Sequence, residues 1–183
     1  MTSTNYIYTP DLIGEVVAKT ELLTSSDASL VKLFGVSLVY EYGTLFELQK
    51  RIAIKDRRTQ SVQKYPLVWL VWERPENLKR YRGGFSNKSY IISPLIFIIA
   101  RTDVDYTSIQ RNENIFKPVL LPIYENFLKA LRMHRNFNTG NTIEHDEYEH
   151  YFWGMNNEGK TVLSDYNDAI ELKLIDLEVL QKC

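Results

Sequence analysis

Apolar residues recur with helical spacing in two segments of the chain. Thr9, Pro10 and Asp11 are typical of a helix start, and the apolar residues after them lie three or four positions apart. In the second segment, residues 111–134, the apolar residues that follow Pro122 fall on one helical face. The pattern therefore predicts an N-terminal helix and a central helix.

Four other segments have the patterns of strands. Residues 36–42 and 45–54 flank a Gly-Thr pair and predict a hairpin, because apolar and polar residues alternate in the second of them. Residues 65–73 and 90–102 are apolar on both faces, which is typical of central strands covered on both sides. We expect these two strands to lie inside the sheet.

The C-terminal segment, residues 165–179, alternates as far as Leu174 and then changes phase at Ile175. A strand with a bulge near Ile175 explains the change, and a helix explains part of the pattern, since many of the residues are good helix formers. We favour the strand. The order of elements predicts an α+β fold, with a mixed or antiparallel sheet and the N-terminal and central helices packed on it.

The length of 183 residues suits a single domain over residues 1–183. Within it we expect three extensions: basic loops at 56–64 and 74–89, and an irregular insertion at 135–161 with one short strand at 147–153. The only cysteine, Cys183, leaves no disulfide framework within the chain. The sequence shows no signal-peptide pattern and its longest apolar run is too short to cross a bilayer, so we expect cytoplasmic synthesis and no membrane partner.

Charge is unevenly distributed although the net charge is −1. Residues 50–88 contain eleven Lys or Arg and three acids, whereas residues 144–183 contain ten acids and three Lys. Solvated faces are one interpretation, and a contact between basic and acidic surfaces in a partner or in a second copy is another. Nucleic-acid binding is a third, weakened by the near-neutral total and by the absence of a recognisable binding motif.

The stretch EHDEYEH, residues 144–150, is the obvious candidate for metal or acid–base chemistry. His145 and His150 are five positions apart, so they share neither a helical face nor a strand face, and no HExxH motif is present. A solvated acidic segment is the better interpretation. Asp103 and Asp105 offer a carboxylate pair, but their context is typical of a loop after a strand. We therefore predict no metal site, no cofactor and no catalytic set.

Four segments in order resemble the tail-terminator or tail-completion proteins of tailed phages and prophages: 64–71, 92–102, 116–131 and 165–179. The resemblance implies a structural virion protein, made in the host cytoplasm, that forms a hexameric or dodecameric ring in the neck or tail. Such a ring joins or caps tail components at the head–tail junction. Its partners are copies of itself and other neck and tail proteins, and DNA passes through its channel without sequence-specific binding.

The charge asymmetry and the resemblance together give an interface hypothesis. We expect basic residues of one copy to face acidic residues of a neighbour or of another ring: Arg57, Arg58, Arg80 and Arg82 against Asp146, Glu147 and Glu149. Two alternatives remain open. One is a small metal-dependent nuclease that uses Asp103, Asp105 or His145, and the other is a cytosolic nucleic-acid-binding module that uses residues 50–88.

Overall fold

The computed structural model describes residues 8–26, 37–53, 65–72, 79–82, 88–153 and 166–181. The helices are α1 (Thr9–Ser25), α2 (Leu45–Ala53), α3 (Ser108–Arg111), a π-helical segment (Asn112–Leu120) and α4 (Leu121–Met133). The strands are β1 (Val39–Gly43), β2 (Leu67–Val71), β3 (Lys79–Arg82), β4 (Lys88–Ile92), β5 (Leu95–Arg101), β6 (Phe137–Asn138), β7 (His145–Trp153), β8 (Asn167–Leu174) and β9 (Leu177–Gln181). The α+β prediction is confirmed.

The strands form two sheets. The first sheet has the order β1-β2-β5-β8-β7, in which β1 and β2 are parallel and all other neighbours are antiparallel. The second sheet has the order β3-β4-β9-β6 and is antiparallel throughout. The first sheet is therefore mixed, as the sequence predicts, but the second sheet was not foreseen.

One bent ribbon connects the two sheets. Strand β4 passes into β5 through Ser93 and Pro94, and β8 passes into β9 through Ile175 and Asp176. At the bend, the Leu174 N–H donates to the Pro94 carbonyl at 3.0 Å, and the Asp176 N–H donates to Ser93 Oγ at 3.3 Å. Asp176 has a φ of 48°, a left-handed conformation that aspartate tolerates better than most residues.

The ribbon corrects two predictions. Residues 90–102 do not form one strand but two, in different sheets, and the change of phase at Ile175 marks a change of sheet and not a bulge. The physical reason at the first site is Pro94, which has no N–H and so cannot take part in a continuous ladder. At the second site the left-handed Asp176 turns the chain.

The larger core lies between the first sheet and the two predicted helices. Ile13, Val16 and Phe127 are fully buried or nearly so, together with inward-facing residues of the central strands such as Ile98 and Leu172. The N-terminal helix is thus confirmed, with its apolar stripe on the sheet. At about 25 cal/mol per Å² of buried apolar surface, this face contributes most of the stabilisation. None of the helices within the described ranges is long and apolar enough to cross a membrane.

Residues 45–54 do not form the predicted strand, because 45–53 fold as α2. A reciprocal capping box starts this helix: the Thr44 N–H donates to Glu47 Oε2 at 2.7 Å, and the Glu47 N–H donates to Thr44 Oγ1 at 3.2 Å. Leu48 and Ile52, one turn apart, pack on the second face of the first sheet. The same apolar positions fit a strand and a helix, and the capping box favours the helix.

The central helix runs from Ser108 to Met133 and confirms the predicted element. Thr107 and Gln110 cap its start reciprocally. Pro118 lies inside the π-helical segment, a wider form of helix whose hydrogen bonds differ from those of a regular one. Pro122 lies at the beginning of α4, where the missing N–H costs little.

The predicted extensions are partly wrong. Part of the basic stretch 74–89 is extended, since Lys79–Arg82 form β3 and β4 begins at Lys88. In the stretch 135–161 the short strand expected at 147–153 is confirmed, but it begins two residues earlier as the nine-residue β7, and β6 is an additional strand. The loop at 56–64 and residues 154–161 lie outside the described residues.

Candidate functional site: two charged sheet margins

Strand β7 forms one margin of the first sheet, with β8 on its inner side and no further strand beyond it in the described part of the chain. It contains all three acidic residues of the interface hypothesis. Glu147 and Glu149 are exposed and Asp146 is half-buried, while Tyr148 between the two glutamates is 53% exposed. The sequence HDEYEHYFW therefore displays an acidic edge and does not form a solvated loop.

The direction of the β7 backbone follows from one hydrogen bond. The Ile175 N–H donates to the Glu144 carbonyl at 2.9 Å, and the register places these two residues opposite each other. Hydrogen-bonded and non-hydrogen-bonded pairs alternate along an antiparallel ladder. The backbone groups of His145, Glu147 and Glu149 consequently point away from β8, toward the free edge.

The other side of β8 agrees with this assignment. The Leu174 N–H donates to the Pro94 carbonyl, which belongs to the ribbon on the β5 side. Leu174 is the register partner of His145 and Leu172 is that of Glu147. Because a strand residue directs both of its backbone groups to one side, Leu174 and Leu172 bond toward β5 and leave His145 and Glu147 unbonded to β8.

The beginning of β7 is held to helix α4 by a short hydrogen bond. Tyr124 Oη lies 2.6 Å from His145 Nε2, and His145 Nδ1 lies 2.8 Å from the Ile143 carbonyl oxygen. Since a carbonyl only accepts, Nδ1 carries the proton and the Tyr124 hydroxyl donates to Nε2. Burial, followed by the neighbouring carboxylates of Glu147 and Glu125, raises the pKa of the Tyr124 hydroxyl. His145 is thus held by two structural contacts.

The second histidine of the EHDEYEH stretch points to the other face of the sheet. His150 is paired in register with Ala169 and its Nε2 lies 2.9 Å from Glu171 Oε2. His145 is paired with Leu174, on the face that packs against the helices. The prediction that the two histidines face opposite ways is confirmed. Among the described residues, no group of three or more His, Cys, Asp or Glu is arranged to hold a metal.

Strand β3 forms a margin of the second sheet and is basic. Its sequence is KRYR, so it carries Arg80 and Arg82 of the interface hypothesis, and β4 is its neighbour in the sheet. The register between β3 and β4 shifts between Lys79 and Arg82. Arg57 and Arg58, the other two basic candidates, lie outside the described residues.

The two charged strands lie on opposite sides of the bent ribbon. The ribbon pairs the β4–β5 strand with the β8–β9 strand along its whole length. Strand β3 adds to the β4 side, whereas β7 adds to the β8 side. Among the described strands, β3 and β7 are therefore the edge strands on opposite sides of the ribbon, one in each sheet.

Asp103 and Asp105 lie in the turn after β5, as the sequence predicts. Both are exposed, and the Asp105 N–H donates to Asp103 Oδ1 at 3.0 Å, a local turn contact. The Asp103 carbonyl accepts from Arg111 Nη2 at 3.0 Å. This turn is therefore fixed by backbone and side-chain hydrogen bonds.

Sequence reasoning missed the most deeply buried charges, Arg111 and Asp168. Their side chains are 1% and 0% exposed, and Arg111 Nη1 lies 2.7 Å from Asp168 Oδ1. Arg111 also donates to Thr102 Oγ1 and to the Tyr106 carbonyl. A signal was present: Asp168 is in phase with the inward-facing apolar residues of β8, so an alternating pattern assigns it to the core. The pair joins the start of the central helix to the sheet.

Comparison with known proteins adds no assignment to this geometry. No protein-family model matches the chain, and no curated protein matches it. The residues and their arrangement are the remaining basis for a function. Of the features described, the exposed acids of edge strand β7 and the basic sequence of edge strand β3 are the ones that carry opposite charge.

Proposed function

We propose that this protein is a structural virion component that assembles head to tail into a ring in the neck or tail of a tailed phage. The observation that carries the proposal is that an edge strand of basic sequence, β3, and an edge strand with exposed acids, β7, lie in different sheets on opposite sides of the bent ribbon. A head-to-tail contact joins two different patches, and its repetition generates a ring when the rotation closes. Complementary charge at the two patches favours this contact over others.

The resemblance to tail-terminator and tail-completion proteins supports the choice of virion and location. The resembling segments fall on β2, on β5, on the central helix and on β8 with β9, which are the elements that build the core. The same resemblance suggests a hexamer or dodecamer at the head–tail junction, with DNA passing through the channel and other neck and tail proteins above and below. It suggests no cofactor and no catalytic role.

The ion pair and hydrogen bonds made by titratable side chains also support a structural role. Arg111 binds Asp168 in the core, and His145 and His150 are hydrogen-bonded to Tyr124 and Glu171. These groups hold elements together: the helix to the sheet, α4 to β7, and β7 to β8. Glu147 and Glu149, by contrast, are exposed on the β7 edge, where a partner can reach them.

The test is native mass measurement with negative-stain imaging of the purified chain over a concentration series, at low and at high salt. We expect closed rings at low salt and fewer at high salt, because the Debye length falls from about 30 Å at 0.01 M salt to about 3 Å at 1 M and attraction between exposed charges weakens accordingly. Particles that stay monomeric at all concentrations and at low salt would argue against the proposal. Mass spectrometry of purified tailed particles whose genome encodes the chain tests the virion location directly.

A further inference from the structure

The β7 edge is suited to backbone pairing as well as to charge contacts. The strand has nine residues, and its ladder with β8 is regular from His145 to His150, with a register shift only beyond that point. Exposed edges are usually protected by lysine, proline or a bulge. The β7 sequence contains neither lysine nor proline, and the backbone groups of His145, Glu147 and Glu149 point outward. The register shift between His150 and Trp153 limits the regular edge to His145–His150, and among the described residues no other strand pairs with that stretch.

The charges on the two free edges select the pairing partner. Two β7 edges placed side by side would bring acids against acids, and two β3 edges would bring Lys and Arg against Lys and Arg. Like charges directly opposite each other destabilise a strand pair, whereas opposite charges stabilise it. A pair of β3 with β7 is the only combination of these two edges that avoids repulsion. The charges thus disfavour a symmetric dimer and favour a head-to-tail contact.

We propose that β3 of one copy adds to β7 of the next copy by backbone hydrogen bonds, so that one subunit's first sheet continues into its neighbour's second sheet. This inference rests on the proposed function and specifies its joint. The basic sequence of β3 then runs along Glu147 and Glu149. Extended strand addition supplies affinity through the main chain and specificity through the side chains. Because the two edge strands belong to different sheets, on opposite sides of the ribbon, each copy can use both, once each.

A charge-swap mixing experiment tests the pairing of these two edges. The variant Glu147→Lys with Glu149→Lys has two basic edges, and the variant Arg80→Glu with Arg82→Glu has two acidic edges. We expect each variant alone to be monomeric where the wild type forms rings, and a mixture of the two to form rings with alternating subunits. Alternation closes only even-numbered rings, which imaging detects. A mixture that stays monomeric, or a single variant that still assembles, overturns the pairing.

A proline substitution tests the backbone part of the inference. Glu147→Pro removes an N–H that points away from β8, so the ladder with β8 loses no hydrogen bond. Glu147→Gln removes the same charge and keeps the N–H, and so serves as the matched control. We expect the proline variant to weaken association by about tenfold or more relative to the glutamine variant. Circular dichroism and thermal unfolding of both variants verify that the fold is kept.

The possible failures are distinguishable. If the wild type forms rings and the proline and glutamine variants associate equally well, the strand-addition inference is wrong and the ring proposal stands. If the wild type forms no assembly under any condition, both are wrong. If the proline variant unfolds, Glu149→Pro with Glu149→Gln repeats the test at the second outward-facing position.

Discussion

Strand β8 has two very different neighbours. Toward β5 its register partners are aliphatic for most of the length, with pairs such as Ile98 with Ile170 and Ile96 with Leu172 fully buried. Toward β7 the same two residues lie opposite Glu149 and Glu147, which are exposed. One side of the strand therefore stabilises the fold and the other displays charge. Substitutions of exposed residues on β7 should therefore reduce the stability of the buried β5–β8 side only slightly. An assembly module needs this property.

The buried ion pair gives the largest expected effect on the interior side. Arg111→Met removes the charge at nearly constant volume and leaves Asp168 buried beside a thioether. Breaking one partner of a buried pair typically costs about 3–5 kcal/mol, because the remaining charge is uncompensated. We expect a loss of that size in the free energy of unfolding, measured by urea denaturation.

Lys117→Met is the matched control for this change. Lys117 and Glu113 form an exposed pair one helical turn apart, with side chains 62% and 57% exposed. Exposed pairs contribute about 0–1 kcal/mol, so this variant should unfold close to the wild type. Equal losses in the two variants would show that Arg111 is not a structural anchor.

A pair of register partners tests the contrast between the two sides of the sheet most directly. Leu172 and Glu147 lie opposite each other on β8 and β7, and Leu172 is fully buried. Leu172→Ala should cost about 2–5 kcal/mol of unfolding free energy through lost burial and a cavity. Glu147→Ala should change it by about 0.5 kcal/mol or less, as is usual for exposed sites, yet it should weaken ring formation. A large stability loss at Glu147 would show that the margin is part of the core.

The sequence predicted the elements wherever one signal dominated. The helix at 111–134 was found because apolar residues recur at helical spacing, and the strand after Tyr65 because it is a short continuous apolar run. At 45–54 the apolar positions fit both a strand and a helix. The cap formed by Thr44 and Glu47, three positions apart, favours the helix over the alternating strand pattern. Local capping energy of about 1 kcal/mol is enough to decide such a case.

The division into two sheets could not be predicted from periodicity. Strands β4 and β5 are both apolar, and only Pro94 between them indicates a break. Which strand becomes an edge depends on pairing between distant segments, so the sequence indicated a short strand at 147–153 but not that it forms the edge of the sheet. The residues of the interface hypothesis could be chosen from charge alone. The finding that β3 and β7 are edge strands of different sheets required the topology.

The hydroxyl of Tyr124 gives a smaller effect, at the boundary between interior and margin. Tyr124→Phe removes the hydrogen bond to His145 Nε2 while it keeps the ring. A net loss of about 0.5–1.5 kcal/mol is typical for one such bond. We expect this loss in urea denaturation, with faster hydrogen exchange confined to the start of β7. Faster exchange spread over the whole sheet would instead indicate that β7 is not a separable margin.

The smallest expected effect is a dependence of stability on alkaline pH that arises from two tyrosines, Tyr40 on β1 and Tyr124 on α4. Burial, and then the neighbouring Tyr42, Asp11 and Tyr8, raise the pKa of Tyr40, whose hydroxyl donates to the Pro10 carbonyl at 2.7 Å. The pKa of Tyr124 is raised too, chiefly by burial. In the unfolded chain a tyrosine loses its proton near pH 10, but in the fold these two retain it.

The sign of the effect follows from proton binding. Above pH about 10 the unfolded state binds fewer protons than the native state, so stability falls as pH rises. Below that pH both states keep the proton and stability is unaffected by these groups. We expect urea denaturation between pH about 8 and about 11 to show this fall, and Tyr40→Phe with Tyr124→Phe to make it shallower. If stability falls with pH as steeply in the double variant as in the wild type, the Tyr40 and Tyr124 hydroxyls do not make the stabilising hydrogen bonds described here.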